Sequence, residues 1–194
     1  VNGNAEGPST VSLLRWTAAR GWEGTDDGSP NAWFPTHPSV AVDPSDAVWV
    51  AFATGDGVAT GRYTRHVEVR PVTWETGGAQ RWGAVDWRSP LTDARGTALE
   101  RVEDPALAVV DGALTVACTG FAADGGRILA ATRDAKGAWS ERTLDESGLV
   151  LGTVPAVFAP EGDLMWARLR TDGDVEVCRS TAAAGAPECT DTGF

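Results

Sequence analysis

His37 and Asp104 each stand directly before a proline, in "HPSVAV" and "DPALAV", at the same position of two similar segments. An imidazole and a carboxylate can pass a proton if they come within hydrogen-bond reach. The commoner use of such groups at the base of a loop is to cap backbone or to pair with arginine. Glu103 and Asp86 are the carboxylates that could work beside Asp104, since cleavage of a glycosidic bond needs two carboxyl groups roughly 5–10 Å apart. Arg62, Tyr63 and Arg65 form a second group, in which guanidinium groups can donate paired hydrogen bonds to hydroxyls or a carboxylate. Trp33, Trp82 and Trp87 offer flat apolar faces of the kind that stack on a sugar ring. Trp33 lies between prolines in "SPNAWFPTHP" and is the one expected to be exposed.

Composition removes several classes of partner. The 194 residues carry a net charge of -11. Clustered Lys and Arg are needed to bind a phosphate backbone or an anionic membrane surface, so nucleic acid and membrane are not expected. No apolar run reaches the length of a bilayer span, and no signal-peptide core opens the sequence at Val1, which reads as a mature chain or a piece of one. The scarcity of Lys beside abundant Arg, Ala, Gly and Val fits a high-GC, actinobacterial-like codon bias. There is no phosphate loop, nucleophile elbow or zinc helix signature. No cofactor is expected. The acidic stretches "TDDGS" (25–29) and "RTDGDVE" (170–176) are the places for a calcium ion, but neither has EF-hand spacing and turn chemistry accounts for both.

The elements that must position these groups are strands. Short alternating or apolar runs rich in Val, Thr, Trp and Leu are broken by Asp-Gly or Pro, with no competing helical period. Residues 37–57, 104–126 and 154–174 share one shape: x-Pro, a strand A, a tight acidic turn, a strand B and a Gly/Asp loop. Residues 67–87, 127–144 and 175–193 follow as hairpins of strands C and D, and 11–28 is a fourth such hairpin without an A–B partner. Strand D carries Trp22, Trp82, Trp139 and then Cys189 at matching places. A period of roughly fifty to sixty residues is that of propeller blades, each a four-stranded antiparallel sheet that needs neighbours on both faces. The expected fold is all-β, with about 3.5 propeller-type blades in a single domain over 1–194: hairpin 11–28 and blades about 37–88, 104–145 and 154–193. A β-sandwich is the alternative. The unpaired hairpin implies that a ring would be completed by Val1–Thr10, by an upstream segment or by another copy of the chain. With Leu13, Leu14, Trp16 and Trp22 it carries too much apolar surface to stay wet, so it should dock on the 38–52 sheet and on something else.

"TRDAKGAW" (132–139) is similar to the Asp-box of sialidase-like propellers, Ser/Thr-x-Asp-x-Gly-x-Thr-Trp. Thr132, Asp134 and Trp139 match, Gly137 is one place late, and Ala138 stands where Thr is expected. The resemblance implies a structural role, with the Asp accepting backbone N–H groups in the turn and the Trp packing between sheets. It does not bring sialidase catalysis: the Arg-Ile-Pro motif is absent and Tyr63 is the only Tyr. Fucose-type propeller lectins offer a second resemblance, which implies Arg, Glu and Trp from neighbouring blades around a sugar.

Strand alternation puts the D–A and B–C connections on one face. These are the longer segments, 25–36, 55–65, 88–103, 119–126, 145–153 and 170–174, and long loops on a rigid scaffold are where binding is usually placed. That face gathers His37, Arg62, Tyr63, Arg65, His66, Arg88, Arg101, Glu103 and Asp104. Trp22, Trp82 and Trp139 are assigned by their repeat position to packing between blades. Cys178 and Cys189, on strands C and D of one hairpin, are expected to bridge, with Cys118 buried and free, which implies an oxidising, extracellular setting. The expected function is a secreted carbohydrate-binding, lectin-like propeller using Trp33, Arg62, Tyr63, Arg65, His37 and Asp104. The alternatives are a glycoside hydrolase, or a fragment of one, using Asp104 with Glu103, Asp86 or His37, and a protein-interaction propeller.

Overall fold

The computed structural model describes residues 11–24, 33–55, 65–76, 78–149, 157–158, 162–169, 173–180 and 187–193, with backbone alone at 33–35, 145–149, 157 and 169. All regular structure among them is β. A hairpin of β1 (Arg15–Thr17) and β2 (Gly21–Glu23) comes first. The first full unit has β3 (Trp33–Val42), β4 (Val48–Gly55) and β5 (Arg65–Trp74), with an outer edge split into β6 (Gln80–Trp82) and β7 (Trp87–Arg88). The second unit has β8 (Arg101–Val110), β9 (Ala113–Ala122), β10 (Gly125–Arg133) and β11 (Trp139–Leu149). The third has β12 (Val157–Phe158), β13 (Leu164–Leu169), β14 (Val175–Ser180) and β15 (Glu188–Asp191). Pairing inside each unit is antiparallel and in sequence order. One parallel contact, Arg65↔Arg101, joins the first two units into a nine-stranded sheet.

The same tight turn recurs because the same side-chain chemistry builds it. The Asp134 carboxylate accepts from the amides of Lys136 and Ala138, both at 2.8 Å, and Gly137 takes a left-handed backbone. Asp93 does the same with Arg95 and Thr97, and Asp43 with Ser45 and Ala47. Glu75–Ala79 reproduces the backbone bonds with a longer acid. A carboxylate two and four residues before the amides it receives closes a turn that hydrophobic burial alone would leave unspecified.

Three apolar cores separate the units, each shared by neighbours. Val11 and Leu13 meet Val50, Phe52, Val72, Trp74 and Trp82. The first and second units share Trp49, Ala51, Val67, Val69, Leu107, Val116 and Leu129 among others. The second and third share Ala117, Ile128, Ala130, Leu144, Leu164 and Trp166. Each strand that feeds two of these cores alternates between them: on β10, Ile128 and Ala130 face one and Leu129 and Ala131 the other. Strands buried on both faces read as nearly continuous apolar runs, which is why "LTVAC" and "VWVAFA" show so little alternation. The inner strands β3 and β8 lie side by side, with the Leu107 amide donating to Ser39 Oγ at 2.9 Å.

Cys178 and Cys189 form the expected disulfide, directly opposite each other on β14 and β15, and Cys118 is free and buried. No helix among the described residues is long and apolar enough to cross a membrane. Several expectations need correction. Residues 119–126 are not a long loop, because β9 and β10 run on into a tight turn between Ala122 and Gly125. Residues 145–149 continue β11. Trp33 starts β3, paired with Gly55, rather than sitting in a loop. The first hairpin docks through Val11 and Leu13, while Leu14, Trp16 and Trp22 are 61%, 60% and 73% exposed. The segments 25–32 and 170–172, which carry most of the calcium candidates, and Val1–Thr10 lie outside the described residues.

Candidate functional site

The inner strands β3 and β8 are both distorted, β3 between Trp33 and Thr36 and again between Thr36 and Ser39, and β8 at one place. Pairing with the neighbouring strand shifts register around Thr36–Ser39 and between Glu103 and Ala106. At these bulges His37 and Asp104 take left-handed backbone angles, φ 51 and φ 53. That conformation is rare for residues other than Gly, and Asp and His are among those that tolerate it. A following proline biases the residue before it toward extended backbone, so Pro38 and Pro105 do not themselves favour these angles, which are held by the surrounding strands. The two kinks turn the side chains toward one another across the boundary between units: His37 Nδ1 stands 2.9 Å from Asp104 Oδ1.

Arg65, at the start of β5, closes the group. Its guanidinium donates to Glu103 Oε1 at 2.9 Å and to Thr36 Oγ1 at 2.7 Å. Arg101 lies over the Phe121 ring and 3.8 Å from Glu103 Oε2. A single row of paired residues, Trp33↔Gly55↔Arg65↔Arg101↔Phe121, sets this level across both units. Burial raises the Asp104 carboxyl above its ordinary range. The charges of His37, Arg65 and Arg101 oppose that shift and the charge of Glu103 adds to it. His37 is 60% exposed on its side chain, so the pair opens to solvent through the imidazole.

The sequence-derived candidates separate into three sets. His37, Arg65, Glu103 and Asp104 come together. Arg62 and Tyr63 lie outside the described residues, as does the side chain of Trp33. Asp86 and Trp87 are used elsewhere. Asp86 Oδ2 accepts from Arg133 Nε and Trp139 Nε1, both at 2.8 Å, so it is no working partner for Asp104. Trp87 is buried against Trp139, with its indole N–H donating to Glu141 at 2.9 Å, and offers no ring face to a sugar. Trp82 is turned into the first core, edge-on to Phe52.

Reasoning from sequence placed His66 and Arg88 on the loop face and passed over Glu68. His66 and Glu68 are both buried. Glu68 Oε2 receives Arg70 Nε and Nη2 at 3.0 and 2.8 Å, while Oε1 receives Arg88 Nη2 at 2.8 Å and lies 3.2 Å from His66 Nε2. Burial by itself would raise this carboxyl. Hydrogen bonds from His66, Arg70 and Arg88, with the Arg70 charge, outweigh it and hold the group down to about 2. The signal was present in "HVEVR", where His66, Glu68 and Arg70 alternate onto one face of a strand.

No protein-family model matches this sequence, and no curated protein matches it. Among solved structures the chain is similar to AofleA from Arthrobotrys oligospora, with a TM-score of 0.57 and 14% identity over 95% of this chain and 50% of that one. A structure from the GH130 family, described as mannoside phosphorylases containing glycoside hydrolases that target β-1,2 mannosidic linkages in Candida mannan, matches 81% of this chain and 48% of its own. Its TM-score of 0.41 and 14% identity carry no argument. The chain therefore shares its fold with AofleA over about half the length of that protein.

Proposed function

We propose that this chain is a secreted, propeller-type module that binds a carbohydrate at the His37–Asp104 site. The observation that carries the reading is the cross-unit pair itself. Two equivalent residues in rare backbone conformations are held 2.9 Å apart, beside an Arg–carboxylate pair, at the level where β3 begins with Trp33. Strained backbone at an equivalent place in two repeats is what a site needs and a plain strand does not. Arg, a carboxylate and Trp drawn from two units match what the lectin resemblance implies. Carboxylates and imidazoles accept from sugar hydroxyls while guanidinium groups donate to them. The stacked cores support a ring of such units, and the disulfide supports an oxidising compartment.

The raised carboxyl of Asp104 favours one rival, a glycoside hydrolase with Asp104 as the acid. A glycan-array screen with a hydrolysis assay on every glycan that binds tests both. Binding that falls at least tenfold, about 1.4 kcal/mol, in Trp33→Ala and Asp104→Asn with no product formed supports the proposal. Product formation lost in Asp104→Asn supports the hydrolase. An array without a hit removes both.

A further inference from the structure

The three cores make the free face of the first hairpin interpretable. In each full unit the outer-strand residue at one repeat position turns into the core shared with the preceding unit. Trp82 packs there with Val50 and Phe52, Trp139 with Trp49 and Val116, and Cys189 with Ile128 and Trp166. Trp22 holds the same position in the β1–β2 hairpin. It sits opposite Trp16 across the pair, on the face that carries Leu14. The other face of the hairpin is satisfied, with Arg15 bound to Glu23 at 2.9 Å and stacked over Trp74 of the first unit. Leu14, Trp16 and Trp22 therefore occupy a packing position with no described residue packed on it, and all three are mostly exposed. Two adjacent exposed Trp are the kind of anchor that protein interfaces use.

The opposite end of the stack supplies the complement. On β13 and β14, Leu164, Trp166 and Cys178 face the second unit, so alternation turns Met165, Ala167 and Val177 to the outer face, with Arg179 opposite Met165. That face stands to the third unit as the faces covered by Trp82 and Trp139 stand to theirs. We infer that the partner is a second copy of this chain, whose β13–β14 outer face covers Leu14, Trp16 and Trp22. Two such contacts related by a two-fold axis close on themselves, where a single repeated head-to-tail contact would otherwise propagate. The length of the fold is compatible: 95% of this chain matches 50% of the AofleA chain, so two copies supply about the same amount of structure. The inference rests on the stacking of units and not on the sugar.

Sedimentation velocity of the chain at micromolar concentration tests it without any glycan. The expected species has twice the 20.3 kDa chain mass. Trp22→Glu and Met165→Glu should each reduce it to the single-chain mass with unchanged circular dichroism. An equimolar mixture of the two variants, which keeps one intact contact, should regain the doubled species. A wild-type chain at single mass overturns the inference. So does a dimer broken by Trp22→Glu and untouched by Met165→Glu, which would mean that the hairpin face pairs with itself.

Discussion

His37 and Asp104, one repeat apart in sequence, meet with 2.9 Å between Nδ1 and Oδ1 because each stands at a left-handed kink in an inner strand. The contact is unforgiving of backbone change. Asn tolerates a positive φ and Val does not, so His37→Asn should leave stability nearly unchanged while His37→Val costs about 1–3 kcal/mol. Denaturant midpoints of the two variants check this.

Asp104 should be a residue kept at some cost in stability. Burial raises its carboxyl, so the folded state holds a proton more readily than the unfolded chain. Its contribution is therefore most favourable below the ordinary Asp range and is lost as pH rises through the raised value. Asp104→Asn should match or slightly exceed the parent in melting temperature at pH 7 while losing glycan affinity. A clear drop in stability would mean that the His37 and Arg65 contacts outweigh the burial.

Glu68 has the opposite sign. Its carboxyl is held at about 2, below the 4.5 of a free Glu, so the stability it confers is complete above pH 4.5 and is lost as pH falls toward 2. Glu68→Gln leaves His66, Arg70 and Arg88 around a neutral amide and should cost about 3 kcal/mol at pH 7. Urea titrations across this pH range should show the variant closing on the parent at the acid end.

Trp139→Ala should destabilise by about 3 kcal/mol, because the ring fills the core beside Trp87 and its N–H satisfies Asp86. Calorimetry of this variant beside Trp82→Phe, which keeps the packing, separates loss of volume from general fragility.

Cutting the Cys178–Cys189 bridge should cost about 3 kcal/mol, the chain-entropy value for so short a loop. Cys118 should resist alkylation in the folded protein, since burial pushes its thiol far up and shields it. Thiol labelling with and without denaturant, read by mass spectrometry, checks both.

The features legible in the chain alone are local and periodic. The apolar runs, the acidic turns at Asp43 and Asp134, and the opposition of Cys178 and Cys189 follow from short-range rules: strand alternation, Asx-type hydrogen bonding and hairpin register. The equivalence of His37 and Asp104 was also legible, because both precede a proline at the head of similar strands. Tertiary structure decided what each side chain meets. Trp87, Asp86 and His66 carry the same residue types as a binding site, but Trp87 and Asp86 became partners of Glu141 and Trp139, more than fifty residues on, and His66 was buried beside Glu68 on its own strand. Trp22 has the same repeat position as Trp82 and Trp139 and yet is exposed, because burial depends on whether a neighbouring sheet is present and not on the residue. Each bulge belongs to its own hairpin, β3 with β4 and β8 with β9, but His37 meets Asp104, 67 residues further along the chain, only because β3 and β8 are laid side by side.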